Sequence, residues 1–310
     1  MASRRHGLAF GRSSAIVGSM IADRRISRRV RPGRGDLSVM LLITGLLSCF
    51  PHCGRAGEAL PGASEVTRRM IERAQGVARA EQRPQYNYEK RSLSERLDAA
   101  GQVLTSEEKT YLVTLIADVP FNRLVKVKGR ELSGEELRSE EIREEKFRQK
   151  FISADATKSA ARKAGWVTPE LLNRYQFEVI GRVILSNRPT LVLTFKPKEG
   201  NLSSGTFKDK LLNGMAGRLW IDEADADTTR LIVSLGEPVL LGWLGLLGSL
   251  NQFDLSLERQ RMPDGVWINV KQTLLIQFRK LTATTRSRVT EESSGFSKVD
   301  VNQRAFSAKP

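Results

Sequence analysis

The residue types that most often carry catalysis or bind metals are confined to one end of this sequence. Both histidines, His6 and His52, and both cysteines, Cys49 and Cys53, precede residue 60. If that region is a leader, the mature chain has neither type except a retained Cys49. Serine–histidine triads, cysteine nucleophiles, histidine-bound metals and disulfides are then all excluded. What remains is a crowd of carboxylates, Asp222, Glu223, Asp225 and Asp227. Carboxylates at this density could hold calcium, but the stretch lacks the glycine and distal Glu of an EF-hand loop. They are also the one acid–base cluster on offer, and no nucleophile can be argued beside them. A solvated turn is the preferred reading, with a hydrolase centred on Asp222 as the enzymatic alternative. No catalytic residue, metal or cofactor is assigned.

The crowded turn joins two stretches that read as strands. From Gly217 to Asp222, Leu219 and Ile221 alternate with Arg218, Trp220 and Asp222. From Thr229 to Leu235, Leu231, Val233 and Leu235 alternate with Arg230, Ile232 and Ser234, so each strand has one apolar face. A turn centred near Asp225 sets Leu219 opposite Leu231 and Trp220 opposite Arg230, the latter a cross-strand cation–π pair. This hairpin is expected at the middle of a large antiparallel sheet. Its inward residues Leu219, Ile221, Leu231 and Val233 are candidate ligand contacts, as the wall of an apolar cavity. A second candidate is the run from Val239 to Leu250, interrupted by Gly242, Gly245 and Gly248. Its glycines permit bending, and Trp243, Leu244, Leu246 and Leu247 could form a mobile lip that meets an acyl chain or a membrane surface. The plainer reading of that run is a buried strand or packed loop.

The other elements follow from patterning. Val66, Met70, Ala74 and Val77 lie along one side of a helix over 63–82. Strands begin at Tyr86 and Tyr88, resume after Gly101 over 111–116, and run from Asn122 to Val127 before Lys128-Gly129. Ser133 and Glu136 form a capping box for a charged helix, whose apolar stripe is limited to Leu137, Ile142, Phe147 and Phe151. Thr168-Pro169 starts a second helix, which completes a helical insertion near 133–175. Phe177, Val179 and Val183 lead through Ser186-Asn187 to Leu191, Leu193 and Phe195, another hairpin. A short helix is expected near Lys208–Met215. Phe253, Leu255 and Leu257 then pair across Asp264-Gly265 with Gln272, Leu274 and Ile276. Strands at Thr282–Thr290 and Gly295–Val301 close the series.

Residues 37–50 form an apolar run preceded by Arg28, Arg29, Arg31 and Arg34. The run is too short to span a bilayer comfortably, and small-residue cleavage sites follow at 54–59, which reads as a secretory signal peptide. Residues 1–59 are thus a basic prefix and signal peptide, started at Met1 or Met20, and 60–310 a single domain. Leu46-Leu47-Ser48-Cys49 also resembles a lipobox, so lipidation at Cys49 is the alternative to its removal. Arg28-Arg29 is a weaker match to a twin-arginine signal. The first 39 residues carry nine arginines against Asp23 and Asp36, so they hold +7 of the formal +15 and leave the rest near +8. A moderately basic body suits an anionic partner such as a phospholipid surface, and solubility explains it as well. Nucleic acid is excluded as a partner, because the basic residues are scattered among acids with no basic helix or zinc module.

An exported chain with an N-terminal helix, a long run of antiparallel hairpins and a helical insertion resembles the LolA/LolB-like family of outer-membrane lipoprotein-sorting proteins. The resemblance spans roughly residues 63–305 and is carried by Arg123-Leu124-Val125 with Lys128-Gly129 and Leu132, by Phe177 to Arg182, and by Gly217 to Asp222 with its Trp-Ile-Asp sequence. It implies an α+β fold built on a half-open, strongly curved antiparallel sheet, an incomplete barrel whose concave face is covered by helices. It further implies a non-enzymatic protein of the periplasm or outer membrane that holds lipid or lipoprotein acyl chains in the cavity between them. The alternative is a structural or sensory envelope module that binds another protein and no lipid.

Overall fold

A computed structural model describes residues 59–79, 85–116, 119–151, 168–200, 204–241, 248–280 and 283–299. Four helices are described: α1 (Ala63–Arg79), α2 (Gly134–Phe151), α3 (Pro169–Leu172) and α4 (Phe207–Gly214). Twelve strands follow in chain order: β1 (Tyr86–Leu97), β2 (Val103–Ile116), β3 (Val119–Val127), β4 (Arg130–Glu131), β5 (Tyr175–Leu185), β6 (Arg188–Pro197), β7 (Met215–Asp222), β8 (Thr228–Leu235), β9 (Val239–Leu241), β10 (Gly248–Arg261), β11 (Trp267–Lys280) and β12 (Ala283–Lys298). All pair antiparallel in one open sheet of order β4-β3-β2-β1-β12-β11-β10-β8-β7-β6-β5, with β9 alongside β10.

Local chemistry sets the turns. Ser186 and Asn187 both take positive φ (48° and 60°), the primed geometry whose twist suits a two-residue hairpin between β5 and β6. Lys128 (φ 51°) and Gly129 (φ 75°) reverse the chain between β3 and β4. At α2 the capping box is formed: the Ser133 amide donates to the Glu136 carboxylate at 2.7 Å, and the Glu136 amide donates to Ser133 Oγ at 3.4 Å. Thr206 Oγ1 caps α4 by accepting from the Asp209 amide at 3.0 Å.

The expected pairings hold at three hairpins. Leu219 opposes Leu231 and Trp220 opposes Arg230, whose guanidinium stands 5.1 Å from the indole. Phe253, Leu255 and Leu257 oppose Ile276, Leu274 and Gln272, and Phe177 and Val179 oppose Phe195 and Leu193. Several expectations need correction. The β7–β8 hairpin is not central but stands among the last strands at the β5 edge. Val183 is out of phase with Phe177 and Val179, because a bulge between Val179 and Gly181 shifts the register. The two last strands are one, β12. Gly295 (φ 65°) looks like a break but sits at a bulge against β1 near Asn87.

Residues paired across the sheet form rows that show where the core stops. Along one face the row Val179–Leu193–Leu219–Leu231–Leu257 is apolar, and it continues as Gln272–Glu291–Ser92–Lys109. The neighbouring row runs Phe177–Phe195–Gly217–Val233–Leu255–Leu274–Val289 and then Ser94–Glu107. The face is therefore not apolar throughout. It turns polar at β11 in the first row and at β1 in the second, and Glu291, held by Gln272 and by Lys90 at 3.3 Å, marks the boundary of the first. On the apolar half, Val66 and Met70 of α1 join one buried cluster with eleven side chains of the sheet, flanked by Leu171, Leu211 and Leu212 from α3 and α4.

Helix α2 guards the opposite side. Its expected stripe is only half right: Phe147 and Phe151 stack toward Phe121, but Leu137 and Ile142 are exposed (48% and 55%). The buried residue of the helix is Glu140, which accepts the Leu124 amide at 2.9 Å, while Arg143 donates to the Asn122 carbonyl and to Glu140. A carboxylate–guanidinium pair thus satisfies the backbone of β3 where a further strand would otherwise bond.

Candidate functional site

The four proposed wall residues lie together as expected from their register. Leu219, Ile221, Leu231 and Val233 are 4%, 1%, 5% and 6% exposed and belong to the cluster that receives Val66 and Met70. Tyr175 closes the cluster beside Phe195, with ring centroids 5.2 Å apart. Its hydroxyl donates to the Leu212 carbonyl at 2.7 Å, and burial pushes that hydroxyl up to about 12. Trp243, Leu244, Leu246, Leu247 and Cys49 lie outside the described residues. Of the glycine-interrupted run, Val239–Leu241 and Gly248–Leu250 are described, and they pair antiparallel as β9 and the start of β10, with Leu241 opposite Gly248.

The acidic turn is a different object from the solvated loop expected of it. Asp222 is fully buried. Arg188 Nη2 donates to its Oδ1 at 2.8 Å, and the same oxygen accepts the amides of Ala224 and Asp225 at 3.1 and 2.8 Å. Asp225 accepts from Arg261 Nε at 2.6 Å and Trp267 Nε1 at 2.9 Å. Burial pulls the Asp225 carboxyl upward, yet these two hydrogen bonds and the nearby arginines hold it below its usual value. Asp227 binds Arg259, which also reaches the Thr228 and Trp267 carbonyls at 3.0 and 2.8 Å. Glu223 binds Arg182 through its side chain, and its carbonyl accepts from Arg69 at 2.6 Å. Arg73 donates to Asp227 at 3.4 Å and to the Gly265 carbonyl at 3.3 Å.

Six arginines therefore converge on the turn, and they come from α1, β5, β6 and β10. Each carboxylate finds a cation, so the cluster is a junction that ties hairpin ends and helix together. Neutralised carboxylates of this kind offer neither a base nor a metal cage, and among the described residues no group of three or more His, Cys, Asp or Glu is placed to hold a metal. Sequence reasoning missed these arginines because they lie far along the chain from residues 222–227. One signal was readable: four carboxylates cannot share a turn without cations, and the β6–β7 pairing of Thr190 with Asp222 brings Arg188 within reach.

A groove lies on the polar half of the same sheet face. Its volume is about 460 Å³, and it is lined by residues of β1, β2 and β12 together with Lys128. Nothing in the residue pattern had marked this place.

No protein family and no characterised protein matches the sequence. Solved structures similar to this chain include a DUF1329 family protein from Desulfovibrio piger, 12% identical over 78% of this chain and 95% of that one, with a TM-score of 0.31. An outer-membrane lipoprotein-sorting protein domain from Vibrio parahaemolyticus is 12% identical over 78% and 100%, TM-score 0.28. A LolA superfamily protein from Nitrosomonas europaea is 9% identical over 80% and 98%, TM-score 0.22. The family named from the sequence is thus among the proteins of similar structure.

Proposed function

We propose that this chain is a non-enzymatic protein of a bacterial cell envelope that takes lipid or lipoprotein acyl chains between α1 and the apolar half of the sheet. The observation that carries this reading is the thinness of the cover. Among the described residues, eleven buried sheet side chains, Leu219, Ile221, Leu231 and Val233 among them, share their cluster with just two buried helical side chains, Val66 and Met70 of α1, while Leu171, Leu211 and Leu212 pack at its flank. Two buried side chains contribute about 3–6 kcal/mol, whereas an acyl chain contributes about 0.8 kcal/mol per methylene, so a chain of roughly ten methylenes competes with the helix for this face. Entry is then an exchange of one apolar cover for another, with the sheet left in place. Export by the leader and a retained, lipidated Cys49 would both put the protein where such cargo is found.

The test uses chain purified without detergent. Organic extraction followed by mass spectrometry is expected to release acyl-chain lipid. Addition of a fatty-acyl probe to extracted protein is expected to speed amide exchange in α1 while β7 and β8 stay protected. Protein that is empty as isolated and whose α1 exchange ignores the probe would overturn the reading, and a co-purifying protein partner in its place would establish the protein-binding alternative.

A further inference from the structure

The groove on the polar half is built from two adjacent cross-strand rows. Arg96 of β1 stands between Thr105 of β2 and Ser287 of β12, and Ser94 stands between Glu107 and Val289. The carboxylates at the groove already have cations: Glu107 pairs with Lys109 at 2.7 Å and Glu95 with Arg288 at 2.6 Å. Nearby, Lys90 pairs with Glu291 and Arg91 with Glu108. Arg96 and Lys128 differ from all of these, since among the described residues neither side chain has an ion-pair or hydrogen-bond partner. Lys128 is also fixed in place, by its left-handed turn and by its amide's bond to the Glu108 carbonyl at 2.7 Å.

We propose that this groove is an anion site for a phosphate group, with Arg96 and Lys128 supplying the charge and the hydroxyls of Ser94, Thr105 and Ser287 the neutral donors. A guanidinium fork and an ammonium that line one groove with several hydroxyls supply the kinds of donor that the multiple acceptor oxygens of a phosphate take. Val289 forms the groove's apolar side, so a phosphate carried on an amphiphile fits here as well as a free one. Acyl-chain entry beneath α1 is not required, and inorganic phosphate, which has no acyl chain, tests the groove alone.

The experiment measures binding of inorganic phosphate by calorimetry at low ionic strength. In parallel it measures binding to phosphatidylcholine vesicles with and without phosphatidic acid. The full chain is compared with the double variant R96Q/K128Q and with R138Q, which removes one charge from the exposed face of α2. The double variant is expected to lose about tenfold or more in affinity while R138Q is unchanged. Phosphate binding without vesicle binding identifies a free anion as ligand, and vesicle binding that needs phosphatidic acid identifies a lipid headgroup. Equal losses in R96Q/K128Q and R138Q, or no binding of either probe, would overturn the site.

Discussion

Arg188 opens β6 and Asp222 closes β7, and their side chains meet across the strand pair so that a carboxylate with no solvent exposure faces an arginine side chain that is 30% exposed. The arginine acts as a plug whose outer edge is wet. The pair holds its own positive partner high, since the hydrogen bond to Asp222 raises the Arg188 guanidinium further above its ordinary value.

Removing the plug strands the carboxylate. Arg188→Ala is expected to lower the unfolding free energy by about 3–5 kcal/mol, the cost of an uncompensated buried charge. Arg188→Lys, which keeps the charge and loses the fork, should fall between. Urea denaturation reads both, and a loss below about 1 kcal/mol for the alanine variant would place the pair with ordinary surface ion pairs.

Stability should decline in acid along a recognisable course. Hydrogen bonds from Arg130 and the Ser133 amide hold Glu136 down to about 2, and Asp225 is depressed as well. A carboxyl whose folded value lies below its unfolded one stabilises fully above the unfolded value and loses that contribution as pH falls through the folded one. For Glu136 the window runs from its ordinary 4.5 down to about 2. Urea midpoints followed from neutrality into that range should fall, and Glu136→Gln should flatten the decline there. A variant with an unchanged slope would refute the assignment.

Gly217 is confined by close strand approach. A Cβ at this position would stand 2.0 Å from the Ile232 carbonyl and 2.9 Å from the Phe195 ring. Gly217→Ala should cost about 1–3 kcal/mol or more, as strands or ring shift to make room. Gly236→Ala, whose nearest neighbour would be 3.6 Å away, is the matched control. Thermal melts of the two should differ clearly.

Helix α1 is fastened by its arginines as much as by its apolar side. Arg69→Ala and Arg73→Ala remove the bonds to the Glu223 and Gly265 carbonyls. Both should speed amide exchange in α1 and leave β7 and β8 slow. Equal acceleration throughout would mean that α1 and the sheet open together.

The sequence was legible wherever partners are close along the chain. Alternation fixed the pairing of Leu219 with Leu231, and Asp264-Gly265 fixed that of Leu255 with Leu274. Signals failed where the deciding partner is remote. Asp225 looked solvated because Arg261 and Trp267 belong to another hairpin. Leu137 and Ile142 looked like a contact stripe because only tertiary structure reveals that the edge of β3 wants Glu140. The polar groove escaped notice for a similar reason, since Arg96, Thr105 and Ser287 become neighbours only once β1 is flanked by β2 and β12.

The two margins of the sheet are not equivalent. At β3 the backbone is occupied by Glu140 and Arg143, whereas β5 is paired on one side alone among the described residues and carries exposed Ile180 and Ile184. A strand added to this sheet is therefore favoured at β5 over the middle of β3, where Glu140 and Arg143 already hold the backbone of Leu124 and Asn122.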